Sequence, residues 1–218
     1  ALVSVLLWPQ SSAGNLDQVT RKLFTVQLQL YRVYCGLITG ERTGAEYKKL
    51  KLQEIQLLGQ FGQILMGAQT DTYTVWEMRH QWQRLHSQAT ALMETLERWR
   101  ESFAAIRELD LTELLPNLKP VFLQIDHRLE QIERMLNGKE PIQTQPRSSL
   151  KTHREKFQSL THFQQAAVAV TRAQIGDLDQ ISQSLFDYVQ DIKGIKSTYR
   201  EPRPRGRHIF EPVLDPDR

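Results

Sequence analysis

Apolar residues recur every three or four positions along most of the chain, the period that lines one face of an α-helix. The first series is Leu16, Val19, Leu23, Val26, Leu30, Val33 and Leu37, and Gly40 follows where a helix ends in a left-handed residue. Thr43-Gly-Ala-Glu46 has the form of a capping box and opens a second helix that runs to about Ala68. Its stripe of Leu50, Ile55, Leu58, Phe61 and Leu65 is broader, as expected of a helix with more than one neighbour. Gly59, Gly62 and Gly67 each lower its helicity by up to about 1 kcal/mol, unless they admit a close neighbour.

Thr74-Val-Trp-Glu77, with Asp71 as an alternative, caps a third helix. Met78, Trp82, Leu85, Ala89, Leu92, Leu96, Trp99, Phe103 and Ile106 then hold a strict three-four alternation with charges on the other faces. That pattern predicts coiled-coil-like packing along one helix over about 72–108, roughly 55 Å long. Asp110 to Pro116 reads as a turn or short helical piece. Asn117 is placed to cap a fourth helix with Leu118, Phe122, Ile125, Leu129, Ile132 and Leu136 inward, ended by Asn137-Gly138. Residues 139–149 are polar, contain two prolines and read as a linker. A last helical stretch is expected over about 150–199, with Phe157, Leu160, Ala167 and Val170 early. Leu178, Ile181, Leu185, Tyr188, Ile192 and Ile195 come late, and Gly176 marks a break or kink. No segment alternates as a strand. The expectation is an all-α fold, an elongated antiparallel helical bundle with coiled-coil-like heptad packing, over residues 11–199.

Composition narrows the function. The 218 residues carry a net charge of +3 and 40% apolar residues, with a mean hydropathy of −0.47. Basic and acidic residues are mixed along the helices rather than gathered on one face, which argues against nucleic acid as a partner. Cys35 is the single cysteine, so no internal disulfide framework exists, and without a CxxC neighbour it reads as a small buried side chain. Trp82 and Trp99 sit on the seam and read as core; Trp76 lies off it and suits an interface anchor.

Catalytic patterns are missing. Glu77-Met-Arg-His80 is a single Glu-x-x-His pair, whereas a di-iron bundle needs two plus further carboxylates. His80 and His86 diverge by about 240° around a helix, and the phosphate-cradling glycine loops and Gly-x-Ser-x-Gly are absent. Asp126, Glu130 and Glu133 share one helix face near Lys119 and Arg134 and read as ordinary surface patterning. The chain is read as a non-enzyme with no cofactor and no metal.

The ends differ from the middle. Ala1 to Trp8 is nearly all apolar and stops at Pro9. It is too short to span a membrane but suited to be the end of a helix that does, with Trp8 at the interface; equally, it suits a segment docked on the protein's own core. Residues 200–218 begin with Arg-Glu-Pro-Arg-Pro-Arg-Gly-Arg, whose Arg200, Arg203, Arg205 and Arg207 read as membrane-proximal cations. With no initiator Met and no secretory leader pattern, the chain reads as a segment of a longer polypeptide.

The apolar Leu6-Leu7-Trp8-Pro9 exit, followed by a long helix, resembles the end of the first membrane bundle in the fusaric acid resistance and aromatic acid exporter (FUSC-like) superfamily. Phe210-Glu-Pro-Val-Leu-Asp-Pro-Asp-Arg218 is similar to the lead-in to that family's second bundle, and Phe163-Gln-Gln-Ala-Ala-Val-Ala-Val to the helices before it. The resemblance implies a two-half inner-membrane exporter of aromatic carboxylates or similar weak acids. Residues 1–10 would then end a membrane helix, 11–199 would form the domain on the cytoplasmic face, and 200–218 would lead back to the membrane. Homo-oligomerisation through the helical seams goes with it. The rivals are a free-standing coiled-coil scaffold or adaptor, and a peripheral membrane protein using the basic tail.

Overall fold

The structure, a computed structural model, describes residues 12–40, 46–67, 79–141 and 148–200, with the backbone alone for 12, 13, 193 and 195–200. The described chain is all-α. Its helices are α1 (Ser12–Thr39), α2 (Tyr47–Gly67), α3 (Arg79–Glu101), α4 (Phe103–Ile106), α5 (Leu111–Leu114), α6 (Leu118–Leu136), α7 (Arg154–Gln158) and α8 (His162–Arg200). The proposed caps at Thr43, Asp71 and Thr74 lie outside the described residues, as do Met78, Trp76 and Glu77.

Five long helices, α1, α2, α3, α8 and α6, close a ring in that order, α6 packing back on α1. Side-chain contacts give their directions. Gln27 meets Glu54 while Tyr34 meets Tyr47, so α1 and α2 are antiparallel. Phe61 meets Trp82 and Lys51 meets Glu97, so α2 and α3 are too. Tyr188 reaches Gln81 and Gln174 reaches Arg98, fixing α3 against α8. Thr25 pairs with Glu133 and Arg32 with Asp126, fixing α6 against α1. A ring of five cannot alternate throughout, and the one parallel pair is α6 and α8, where Gln124 meets Asp179 and Arg128 reaches Ser182.

A parallel pair needs a connection that carries the chain back along the bundle. This explains why helix does not resume at 150. Residues 148–153 carry no helix and return to the start of α6, where His153 N donates to Leu114 O (2.9 Å). The Asn117 side chain, expected as a cap, makes no capping bond. Its amide instead clamps this returning segment, accepting from Lys151 N (2.7 Å) and donating to Ser149 O. After the single-turn α7, α8 begins at His162 and runs 39 residues, about 58 Å. Gly176 neither breaks nor terminates it.

The seam of α3 is buried as its spacing predicts: Leu85, Ala89, Leu92 and Trp99 are fully enclosed. Each such leucine contributes about 1.5–3 kcal/mol of burial free energy. The predicted helix over 72–108 is interrupted at Ser102, whose hydroxyl donates to Trp99 O (2.7 Å), and α4 continues after it. Asp110 caps α5, accepting from the N–H groups of Thr112 and Glu113 (3.0 Å each); the Thr112 hydroxyl, which also donates to it (2.7 Å), and these backbone bonds hold its carboxyl below the usual range. Gly40 and Gly138 both take positive φ. At Gly138 the bonds Lys139 N to Arg134 O and Gly138 N to Met135 O form a Schellman closure.

Two apolar expectations fail in an informative way. Ile55 on α2 and Val170 on α8 are half exposed, because each helix meets its ring neighbours on the opposite side. Gly62 does admit a neighbour, since a Cβ there would lie 3.3 Å from His86 Nε2, whereas Gly59 and Gly67 face open space.

Candidate functional site: a buried charge chain and two interhelical clamps

The centre of the bundle is not purely apolar. Gln27 and Glu54 are fully buried, and Gln27 Nε2 donates to Glu54 Oε1 (3.1 Å) and to Ala89 O (2.9 Å), joining α1, α2 and α3. Lys51 Nζ bridges Glu54 (3.0 Å) and Glu97 (3.3 Å), and Arg100 closes on Glu97 (2.5 Å) while stacking 5.2 Å over the Tyr47 ring. Charges of alternating sign thus lead from the interior to the surface. Burial pushes the Glu54 carboxyl above its ordinary range against the pull of Lys51. Burial also opposes ionisation of Glu97, but there the Arg100 hydrogen bond and Lys51 win and the carboxyl is held low. Nearby, burial raises the hydroxyls of Tyr31 and Tyr34 well above the ordinary tyrosine range.

The chain has a pH signature. Because the folded state binds the Glu54 proton more tightly than the unfolded chain does, this group favours folding at low pH. The contribution is present below the ordinary carboxylate range and is lost as pH rises through the raised folded value. Urea titrations of the protein and of Glu54→Gln should therefore show the variant gaining stability relative to the parent as pH rises from the ordinary carboxylate range through the raised folded value. Glu97 shares Lys51 with Glu54, so the comparison is repeated in a Glu97→Gln background, where the difference belongs to Glu54 alone. A difference flat with pH would contradict the assignment.

The two sides of α6 carry clamps. Toward α1, Arg32 makes a bidentate pair with Asp126 (2.6 and 2.9 Å), and Thr25 donates to Glu133 (2.5 Å). Asp126 and Glu133 therefore dock one helix on another rather than merely decorating a surface, whereas Glu130 stays half exposed, 4.0 Å from Arg32. Toward α8, the buried Arg128 donates to Asp179 Oδ1 (2.7 Å), Asp179 O (2.9 Å) and Ser182 Oγ (2.7 Å), and Gln124 donates to the same carboxylate. Arg128 was not found from sequence: a charged residue inside an apolar helix face looks like a surface residue until its partner is known.

An open groove of about 350 Å³ lies between α1 and α6, with Tyr31 and Phe122 at its floor and Cys35, Thr39 and Leu123 along its sides. Its arginine and aspartate are spent on each other, so the groove is a packing furrow with a polar latch. A second furrow, about 440 Å³, separates the returning segment from α6 and α8.

Arg200 is the last residue of α8, and Arg203, Arg205 and Arg207 lie outside the described residues. His80 is exposed, while His86 packs on Phe61 (5.1 Å) and donates from Nε2 to Leu58 O (3.2 Å), a structural role between α2 and α3. Among the described residues no group of His, Cys, Asp and Glu is placed to hold a metal ion, and no helix is long and apolar enough to cross a membrane. Comparison with known protein families, curated proteins and solved structures finds no match. Among the described residues the fold is an all-α bundle in which buried polar side chains join neighbouring helices.

Proposed function

We propose that the chain is a helical assembly domain of a FUSC-like inner-membrane exporter of aromatic carboxylates or similar weak acids, placed on the cytoplasmic face between two membrane halves. One observation carries the reading: α1 begins and α8 ends at the same end of the bundle. The directions α1 up, α2 down, α3 up and α8 down follow from the contacts of Gln27, Phe61 and Gln174 given above. A domain joined to one membrane through both of its ends needs that geometry. The arginines at 200, 203, 205 and 207 agree with it, since cations flank membrane segments on the cytoplasmic side. The domain would act mechanically, its long helices linking the two halves by shared packing.

The test uses the gene in its native context. Apolar stretches of about 20 residues are expected on both sides of this region, and the product should stay in the membrane pellet after a carbonate wash. A product that is fully extracted without detergent, with native ends near residues 1 and 218, overturns the proposal. That outcome would favour the free-standing scaffold.

A further inference from the structure

α2 lies over a joint that closes without it. Beneath it α1 and α3 already touch: Gln27 Nε2 donates to Ala89 O (2.9 Å), and Tyr31 stacks on Trp99 at 6.0 Å between ring centroids. With the α3–α8, α8–α6 and α6–α1 contacts described above, α1, α3, α8 and α6 form a four-helix core from which α2 is absent. The rings packed on Trp99 come from α1, α4 and α6, and α2 adds only Tyr47, at the margin against Tyr34. α2 is also weak in itself. Gly59 and Gly62 stand in its interior, where each disfavours helix relative to alanine.

The interface it makes contains an under-compensated charge. Glu54 has no exposure, and among the described residues the one cation bonded to it is Lys51, which is divided between Glu54 (3.0 Å) and Glu97 (3.3 Å). Arg100 is taken up by Glu97 (2.5 Å). Around this group α1 presents Gln27 and Tyr34, α2 itself Tyr47, and α3 Glu97 and Arg100. His86 of α3 meets α2 further along, at Leu58 O and Phe61. A sealed carboxylate with a shared counter-charge is costly when ionised. Neutral, it costs less and leaves Lys51 to Glu97. Carried into water on a released α2, it is an ordinary carboxylate.

We propose that α2 is a detachable strap over the α1–α3 seam, fastened when Glu54 holds a proton and loosened when it gives that proton up. Burial raises the docked carboxyl above its ordinary range, and release restores the ordinary value. Docking is therefore strongest below the ordinary carboxylate range and weakens as pH rises through the raised value. α2 supplies neither the first nor the last helix of the domain, so the strap and the exporter reading stand or fall separately.

Hydrogen–deuterium exchange of the 218-residue chain, read by mass spectrometry and corrected for the intrinsic pH dependence of exchange, follows the opening of each helix. Peptides within Tyr47–Gly67 should be less protected than those of α1 and α3. Their protection should fall with rising pH by up to about tenfold per unit, the limit for one proton. Glu54→Gln should abolish that fall, and His86→Gln should leave it in place. Glu97→Gln removes a like charge and frees Lys51 for Glu54, so the fall should end at a lower pH. Gly59→Ala, whose Cβ meets no neighbour, should raise the protection of α2 about fivefold without altering its pH dependence. Opening of α2 only in concert with α1 and α3 overturns the proposal. So does a pH dependence that survives Glu54→Gln or disappears with His86→Gln, or one that extends to higher pH in Glu97→Gln.

Discussion

Trp99→Ala should destabilise the protein more than any other single truncation described here, by about 3–5 kcal/mol. The indole is fully buried and is shared by three long helices. It stacks on Tyr31 of α1 (6.0 Å between ring centroids) and meets Tyr34 edge-on (6.3 Å). It also packs edge to face against Phe103 of α4 (5.3 Å) and Phe122 of α6 (5.5 Å). Removing it leaves a hole bounded by aromatic rings that are themselves pinned; Tyr31, for one, donates its hydroxyl to Phe122 O (2.9 Å). Such walls cannot collapse inward cheaply, which places the cost toward the upper part of the range. In a chain of this size the melting temperature should fall by on the order of 10 °C. Trp99→Phe should recover a large part of the loss. A Trp99→Ala cost below about 1 kcal/mol in urea unfolding would mean that the aromatic cluster is not the keystone of the core.

Asp179→Ala is the second large effect. It strips the carboxylate from Arg128, whose side chain is 5% exposed, and leaves that guanidinium with Ser182 Oγ and a backbone carbonyl. A buried cation without its counter-charge is costly, but Asp179 is 31% exposed, so water reaches the vacated place. The expected loss is about 2–4 kcal/mol, below that of a sealed pair. Replacing both partners, Arg128→Met with Asp179→Leu, should return most of the stability, because it removes the stranded charge along with the attraction. If the double variant is as unstable as Asp179→Ala, the pair contributes through attraction rather than by avoiding an orphan charge. Amide hydrogen exchange should place the single-variant damage in α6 and α8 first.

Much of this architecture is legible in the spacing of apolar residues. The α3 seam from Trp82 to Trp99 is read correctly because its positions are uninterrupted and its other faces charged. In α1 the stripe beginning at Leu16 was found. A second stripe of Thr20, Phe24, Gln27, Tyr31 and Tyr34, equally enclosed, was hidden because two of its five members are polar. Those two mark where the core departs from pure burial, and Gln27 leads to Glu54 and the charge chain. The same blindness concealed Arg128. Periodicity reports which side of a helix is greasy and says nothing of a charge whose partner lies 51 residues away. The start of the last helix was misplaced by about a dozen residues. A local start signal was overlooked: Thr161-His-Phe-Gln164 is a capping box in which Gln164 N donates to Thr161 Oγ1 (3.3 Å) and Thr161 N to Gln164 Oε1 (3.1 Å), and the odd number of long helices requires the chain to travel back along the bundle before α8 can begin parallel to α6. Arg203, Arg205 and Arg207 lie where the structure is silent.

The position of α6 has a mechanical consequence. It stands between the first helix and the last, gripping α1 through Asp126 and Glu133 and α8 through Arg128. Because both of those outer helices point their free ends toward the same pole, a tug on the two ends would load the clamps in sequence from that pole, like a zipper. Pulled this way the bundle should yield gradually at low force, and a lateral shift of one anchored end would reach the other through a single intervening rod.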